Sequence, residues 1–461
     1  MEKFDVVVIG SGPGGYPAAI RAAQLGAKVA LVEKETLGGT CLNWGCIPTK
    51  SLIAASDLYF HMRHAEEFGL KPGTAAVDYA AMCKRKGQVV EKLRGGVAQL
   101  LKGYGVTVYS GLGSFAARNR VAIAGAEEIE AGKVIVATGS DSVVPKFIPV
   151  HERIVASRAF LERTTLPESL IVLGGGVIGC EFACMAAQLG VKVTVVELLE
   201  DILIMLDADV RKELRRHMET RLGVRIMTGK ALDKIVAGTS GVGGMVGEEK
   251  VEAELMLASI GRRPVTDGLA LDKAGLAVNE KGYIEIDGAC RTRIAGIYAI
   301  GDVTAGTTQL AHAATSQGLT AAEHACGKSR LPAEKLIPAC IFTSPEIGSV
   351  GLTEAKAKAN GTEVKIGKYA LSALGRAMAS GAEQGFMKLV VDARTDQVLG
   401  AHAIGAHATE MIAEAALAIR MELTAEELGR TVHCHPTFAE AWMEAAHAVH
   451  GQSIHQPPRR K

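Results

Sequence analysis

Cys41 and Cys46 are the residues around which chemistry can be built. They stand five positions apart in the stretch Gly39-Thr40-Cys41-Leu42-Asn43-Trp44-Gly45-Cys46-Ile47-Pro48-Thr49-Lys50. Five residues of straight α-helix rise ~7.5 Å along the axis. A disulfide needs its Cα atoms roughly 4.4–6.8 Å apart. The two sulfurs can therefore pair only where the chain bends, as at a helix start loosened by Gly45. A thiol at a helix N-terminus has its thiolate stabilised by the helix dipole. The pair reads as one that cycles between disulfide and dithiol, with a structural disulfide or two buried free thiols as the plainer alternatives. The spacing does not suit the short knuckles of a tetrahedral zinc site.

A second candidate lies near the C-terminus, in His433-Cys434-His435-Pro436-Thr437-Phe438-Ala439-Glu440. Pro436 fits the first position of a helix. That places His435 at the helix start and Glu440 about one turn in, where a carboxylate can reach back to an imidazole. A His oriented by a carboxylate is a general-base arrangement. A helix-capping His with a solvated Glu is the alternative. His433 and His435 as metal ligands lack further donors at suitable spacing, so no metal site is expected. Cys180 and Cys184, one helical turn apart, read as small core residues.

Elements that position such groups precede each site. Val6 to Ile9 is a short apolar run, as for a buried parallel strand, and it ends in Gly10-Ser11-Gly12-Pro13-Gly14-Gly15. A helix from Ala18 to Leu25 and a strand Lys28 to Val32 follow, closed by Glu33. Strand, glycines, helix, strand and acid in that order form a dinucleotide-binding unit. Gly10 and Gly12 would permit the tight turn and close approach to a pyrophosphate, and Gly15 close packing of helix on strand. Glu33 is placed to bind a ribose.

The unit recurs. Leu170 to Leu173 leads into Gly174-Gly175-Gly176-Val177-Ile178-Gly179, and Val193 to Val196 ends in Glu197. Gly10, Gly12, Gly15 and Glu33 map onto Gly174, Gly176, Gly179 and Glu197 at a constant offset of 164. The helices share the text Ala-Ala-Gln-Leu-Gly at 22–26 and 186–190. The chain therefore holds two dinucleotide sites. A carboxylate at Glu197 favours a free 2′-hydroxyl over a 2′-phosphate, hence NAD rather than NADP.

Between these sites, 55–105 carries helical patterning with many charges. Lys133 to Ser140 reads as a buried strand ending in a small-residue turn, where Thr138 and Gly139 could approach a cofactor. Residues 237–250 read as a surface hairpin loop. Ile297 to Asp302 is another buried strand ending in an acid. Asp302 either caps a helix from about Gln309 or binds a cofactor hydroxyl. From about Leu336 the pattern changes to alternating strands and two helices, near 407–421 and 437–449, with no glycine fingerprint. The tail 452–461 reads as an extended segment tied down at an interface.

Composition narrows the class. A chain of 461 residues exceeds one ordinary core. Lys plus Arg number 51 against 50 for Asp plus Glu, which argues against a nucleic-acid partner. Nine cysteines, mostly far apart, are no secreted disulfide framework. No signal segment precedes the first strand, and no apolar run of roughly 18 residues suggests a membrane span. A cytoplasmic protein, or an already processed organellar chain, is expected.

These stretches resemble the pyridine nucleotide–disulfide oxidoreductases over nearly the whole chain, and within them the lipoamide dehydrogenase branch. Gly38 to Lys50, the Gly174 fingerprint, Gly261-Arg262-Arg263-Pro264, Ala299 to Asp302, Thr343-Ser344-Pro345-Glu346 and His435 to Glu440 carry the resemblance. It implies an α/β fold with two Rossmann-like domains, for FAD and NAD, and a C-terminal α+β dimerisation domain. The divisions would be 1–142 (FAD), 143–264 (NAD), 265–335 (completing the FAD site) and 336–461 (interface). By resemblance, Glu33, Thr40, Lys50, Gly113, Thr138, Gly139, Asp302 and Ala311 serve FAD. Ile178, Glu181 and Gly261 join the second fingerprint at NAD. Cys41 would be the thiol that meets substrate, Cys46 the thiol against the flavin, and His435 with Glu440 would serve the partner subunit of a homodimer. The implied reaction is oxidation of dihydrolipoamide carried by a lipoyl domain of a 2-oxoacid dehydrogenase or glycine cleavage complex, with electrons passing through FAD to NAD. A glutathione-reductase-like enzyme and a silent FAD-binding docking subunit are the rivals. Two departures stand out: Trp44 where many relatives have a smaller residue, and Ala313 after His312 where many have Lys.

Overall fold

The computed structural model describes residues 1–71, 73–328 and 331–457. Its first sheet has Lys3–Ile9 at the centre, parallel to Val29–Glu33 on one side and Ile129–Val136 on the other. Thr107–Ser110 extends one edge. Ile297–Ala299 returns from far along the chain to pair in parallel with Ile129–Val136, which also carries the hairpin Gly113–Ala117/Arg120–Ile123. Side chains alternate between two cores: Phe4, Val7 and Ile9 face one, Val6 and Val8 the other. Both faces are covered, which is why these strands are apolar runs rather than alternating ones.

The second sheet repeats the plan. Its order is Arg225–Thr228, Lys192–Glu197, Ser169–Leu173, Leu255–Ala258, Ile154–Ala156, all parallel. Helix Val177–Gln188 follows the glycines as Gly15–Gln24 does in the first unit. The stretch 237–250 is not a loop, contrary to expectation. Val242–Val246 is the middle strand of a three-stranded antiparallel sheet with Leu232–Ala237 and Glu249–Ala253. Its apolar ends, Val242 and Val246, are buried, and burial outweighs its turn-like Gly content.

The C-terminal module is a five-stranded antiparallel sheet: Ala339–Ile341, Ile347–Gly351, Val398–Ile404, Phe386–Asp392, Val364–Ala370. Helices Ala408–Arg420 and Glu440–Val449 lie on it. A Cβ at Gly367 would stand 2.0 Å from the Ala445 carbonyl oxygen, so the last helix presses directly on the sheet. Lys388, only 3 % exposed, lies within 2.9 Å of Asp207, 3.1 Å of Asp209 and 2.8 Å of Glu354. Breaking such a buried group leaves charges unpaired, at a cost of about 3–5 kcal/mol. It fixes how this module docks on helix Ala208–Thr220.

Candidate active site

The predicted bend at Gly45 is present. Helix Gly39–Trp44 stops there, and helix Cys46–Arg63 starts immediately after, with Gly45 at φ −138°, ψ −108°. A Cβ on Gly45 would lie 3.1 Å from the Thr40 carbonyl oxygen and 3.3 Å from the Cys41 Cα. The fold-back brings the two thiols into hydrogen-bond contact, both free. They are unequal. The Cys41 S–H donates to the Cys46 sulfur and draws its pKa down to about 7 against the opposing effect of burial; the Lys50 ammonium adds to the lowering. Cys41, as that donor, is held well above the ordinary thiol value. Cys46 is thus the thiolate of the pair and opens an 18-residue helix, where the dipole favours it further.

Lys50 is one turn along the same helix. Its Nζ donates to both carboxylate oxygens of Glu181, at 2.9 and 2.8 Å, and stands 4.7 Å over the Phe342 ring. Glu181, buried in helix Val177–Gln188, also accepts from the Phe342 N–H at 2.9 Å. One carboxylate therefore ties together the redox helix, the second nucleotide unit and the C-terminal module. Trp44, beside the pair, is stacked under the Arg158 guanidinium at 3.9 Å, and Arg158 pairs with Glu35 at 3.3 Å.

Both glycine loops are shaped for a ligand. Gly10 (φ +102°) is a packing glycine: a Cβ there would lie 2.4 Å from the Ala137 carbonyl oxygen. Gly15 is another, with a Cβ 1.9 Å from the Gly10 oxygen. Only over Gly12 is the space open, with nothing within 4 Å. The second loop does the same at Gly174 (2.6 Å from the Ser259 oxygen), Gly179 (1.9 Å from the Gly174 oxygen) and open Gly176. Neither following helix is capped by a side chain. An uncapped N-terminus with free space at one glycine fits a pyrophosphate. The strand-end acids lie beside the loops. Glu33 accepts from the Ser11 N–H at 2.9 Å and hydroxyl at 2.6 Å, and Glu197 from the Gly175 N–H at 2.6 Å.

The other predicted residues gather at the first loop, along the second or between them. Helix Ala311–Ala325 packs on the first loop, where a Cβ on Gly318 would lie 2.4 Å from the Gly14 oxygen. Ala311 opens this helix, again without a side-chain cap. Asp302 does not cap it, contrary to one of the two expectations. Its carboxylate accepts from the Ser140 hydroxyl at 2.6 Å and lies 3.9 Å from Arg262. Thr138 donates to the Val265 carbonyl at 2.6 Å, and open space surrounds Gly139. Gly113 sits over the ends of the first two strands, a Cβ there meeting Val32 and Ile9 at 3.1 and 3.2 Å. Thr40 is exposed on the short redox helix. Ile178 is the second residue of its helix, and Gly261 (φ +137°) lies at the end of the second sheet with open space around it.

His435 and Glu440 do pair, Nδ1 to Oε1 at 2.9 Å, but not as a helix start. The His435–Pro436 peptide is cis, and the helix begins only at Glu440. Burial would raise the Glu440 carboxyl, yet the Thr437 N–H at 2.8 Å and the His435 ring hold it below the ordinary range. His435 is 78 % exposed. Among the described residues, no hydrogen bond or ion pair joins this dyad to Cys41 or Cys46. His433 is held separately by Glu414 at 2.7 Å. Cys180 and Cys184 are core residues, with burial raising the second to about 12.

Sequence reasoning missed the Phe342 N–H, which is a backbone group and leaves no residue signal. It also missed the tail. Ser453, Ile454 and His455 fold back onto Glu444 of the same chain; residues 458–461 lie outside those described. The i, i+4 spacing of Glu440 and Glu444 was the available signal.

Comparison with known proteins agrees with this geometry. Residues 4–318 match the pyridine nucleotide-disulphide oxidoreductase family, and 337–446 match its dimerisation domain. The dihydrolipoyl dehydrogenase of Chlamydia muridarum is 41 % identical over 465 residues, covering 100 % of both chains. That of Bacillus subtilis is 42 % identical over 476 residues, covering 98 % of this chain and 99 % of its own. Among solved structures, LpdA from Mycobacterium tuberculosis superposes with a TM-score of 0.89 at 30 % identity, covering 97 % of this chain and 99 % of that one. The HOCl-induced flavoprotein disulfide reductase RclA from Escherichia coli gives 0.87 at 28 %, covering 95 % and 98 %. Two glycine-loop sheets, a bent dithiol helix and a C-terminal sheet module, matched along almost their full length, place the chain in one family: it belongs to the pyridine nucleotide-disulphide oxidoreductases.

Proposed function

We propose that the chain oxidises dihydrolipoamide on a lipoyl-bearing protein with NAD as acceptor, as a homodimeric, cytoplasmic FAD enzyme. The lipoyl protein would belong to a 2-oxoacid dehydrogenase or glycine cleavage complex. The observation that carries this reading is the unequal pair Cys41/Cys46, with Lys50 and Glu181 beneath it. The full-length likeness to dihydrolipoyl dehydrogenases supports the substrate.

In the oxidised enzyme Cys41 and Cys46 share a disulfide. His435, its Nδ1 held by Glu440, takes the proton of one substrate thiol at Nε2. The resulting thiolate attacks the Cys41 sulfur, and the bond to Cys46 breaks, leaving Cys46 as thiolate. The second substrate thiol then attacks the substrate sulfur bonded to Cys41. Lipoamide leaves as a disulfide, and Cys41 takes up a proton. Two electrons now rest in the pair. FAD, when bound over the Gly10 loop, supplies their passage from Cys46 to NAD. Lys50 and the helix N-terminus keep Cys46 charged for that step. The exposure of His435, which among the described residues has no hydrogen bond or ion pair to the cysteines of its own chain, supports placing His435 and Glu440 over Cys41 of a second subunit. Glu33, Thr40, Gly113, Thr138, Gly139, Asp302 and Ala311 would hold FAD. Ile178, Glu181, Glu197 and Gly261 would serve NAD. The division at 1–142, 143–264, 265–335 and 336–461 belongs to the same reading.

Anaerobic dihydrolipoamide should change the visible spectrum of the yellow protein, and added NAD should then yield NADH. Cys46→Ser should abolish this while retaining flavin. Turnover unchanged in that variant would overturn the mechanism. Turnover of another disulfide with NADPH, and none with dihydrolipoamide, would overturn the substrate.

A further inference from the structure

Ser140 and Arg262 are polar residues that the mechanism above leaves unused, and they meet at one carboxylate. Ser140 is buried, and the Arg262 side chain is only 17 % exposed. Ser140–Ser142 and Arg262–Pro264 form an antiparallel two-stranded ribbon, with Ser140 opposite Pro264 and Ser142 opposite Arg262. One strand lies on the way from the first parallel sheet to the second and the other on the way back, so the ribbon holds both connections to the second nucleotide unit. Across it the Arg262 Nε–H donates to the Ser140 hydroxyl oxygen at 2.7 Å, and Nη2 donates to the Ser140 carbonyl oxygen at 2.6 Å. A guanidinium has donors only, and a serine hydroxyl has a single hydrogen to give. With Arg262 donating into its oxygen, the Ser140 hydroxyl directs that hydrogen to Asp302 Oδ2, 2.6 Å away.

Arg262 Nε itself stands 3.9 Å from that oxygen, too far for a hydrogen bond of its own. Among the described residues the other oxygen, Oδ1, accepts no hydrogen bond, and the Asp302 side chain is 23 % exposed. The backbone beneath it is pinned separately. The Gly301 N–H donates to Gln317 Oε1 at 2.7 Å, and the Thr304 hydroxyl to the Gly301 carbonyl at 2.7 Å. Without Ser140 the carboxylate would keep its place and lose its aim. Gly139, the residue before Ser140, has open space where a Cβ would stand. We propose that Ser140, itself oriented by Arg262, is a positioning residue for the flavin cofactor: it holds Asp302 Oδ2 so that Oδ1 is turned to accept from a cofactor hydroxyl. The proposal rests on the reading of Asp302 as an FAD ligand. A carboxylate aimed beforehand loses less freedom when the ligand arrives, so removing its anchor weakens the grip while the acceptor remains.

The test follows flavin lost from the full-length holoenzyme on dilution, read as FAD absorbance in an ultrafiltrate, for Ser140→Ala, Asp302→Ala and the double variant. Asp302→Ala should weaken retention about 10- to 100-fold and Ser140→Ala about 3- to 10-fold, the sizes of a charged and a neutral hydrogen bond. In the Asp302→Ala background Ser140→Ala should add nothing, because the group it acts through is gone. Arg262→Met keeps the stem and removes both donors; it should act in the same direction, and likewise only while Asp302 is present. Additive losses, or flavin held as tightly in Ser140→Ala as in the parent, would overturn the proposal and leave Asp302 as a ligand. Retention unchanged in Asp302→Ala would overturn the reading of Asp302 itself and the proposal with it, so the two failures are told apart. Turnover enters none of these readouts, so the outcome does not depend on dihydrolipoamide being the substrate.

Discussion

The loop at 10–15 and its counterpart at 174–179 are near-copies in what they pack against and differ in what covers them. A Cβ on the third glycine would meet the first glycine's carbonyl at 1.9 Å in both, and the middle glycine is open in both. Over the first loop, however, two helices close in. A Cβ on Gly39 of the redox helix would lie 2.6 Å from the Gly12 Cα, and one on Gly318 2.4 Å from the Gly14 oxygen. Ser11 adds a further tie, its hydroxyl bonded to Glu33 and to the Gly38 N–H. Beside the second loop, the residues after Glu197 stand in solvent: Leu198 is 66 % exposed and Leu199 50 %. One binding unit, used twice, is enclosed by its surroundings at one place and left open beside its strand-end acid at the other.

Paired substitutions can break this comparison. Gly15→Ala and Gly179→Ala impose the same clash, of a kind that costs about 1–3 kcal/mol. Gly15→Ala should purify without flavin. Gly179→Ala should remain yellow and raise the KM for NAD about 5- to 150-fold. Flavin released by acid and steady-state kinetics check both, and equal flavin loss in the two would erase the distinction. A smaller effect is expected from the acids. Glu197→Ala removes a charged hydrogen-bond acceptor worth about 1.5–3 kcal/mol, so the KM for NAD should rise 10- to 100-fold and discrimination against NADP should relax. Glu33→Ala should leave the KM for NAD nearly unchanged and weaken flavin retention instead.

The smallest change sharpens the link between the two sites. Lys50→Met removes the cation beside Cys46, so the pH midpoint for alkylation of that thiol should move up from about 7 by roughly one unit. The sign for stability follows. Folding lowers the pKa of Cys46, so the stabilisation is complete above the ordinary thiol range and is lost as pH falls through about 7. The reduced protein should therefore melt lower at about pH 6 than at about pH 9, and Lys50→Met should shrink that difference.

Local signals carried most of what could be read from the chain. The glycine spacings, the apolar strands and the acids that end them are each set within some thirty residues, and both parallel sheets follow from them. Gly45 was legible as a required bend, because no straight helix lets Cys41 meet Cys46. The long-range ties were not legible. Lys388 meets Asp207 across 181 positions, and Glu181 meets a backbone N–H at Phe342. Nothing near either residue announces its partner. The late helix start at Glu440 was missed because Pro436 is as compatible with a cis turn as with a first helical residue. Val242–Val246 was missed because its glycines read as a loop while its burial is a property of the fold.

The knot of Lys50, Glu181 and the Phe342 N–H has a consequence for how the protein comes into being. Its three members lie far apart in the order of synthesis, so it closes only after the last module has been made and docked. Until then Lys50 lacks its carboxylate anchor, whereas the contact of Cys41 with Cys46 lies within one short stretch and needs nothing from the later modules. The thiol pair is thus a local device, and the last module to be made completes the bonding of the carboxylate that holds its lysine.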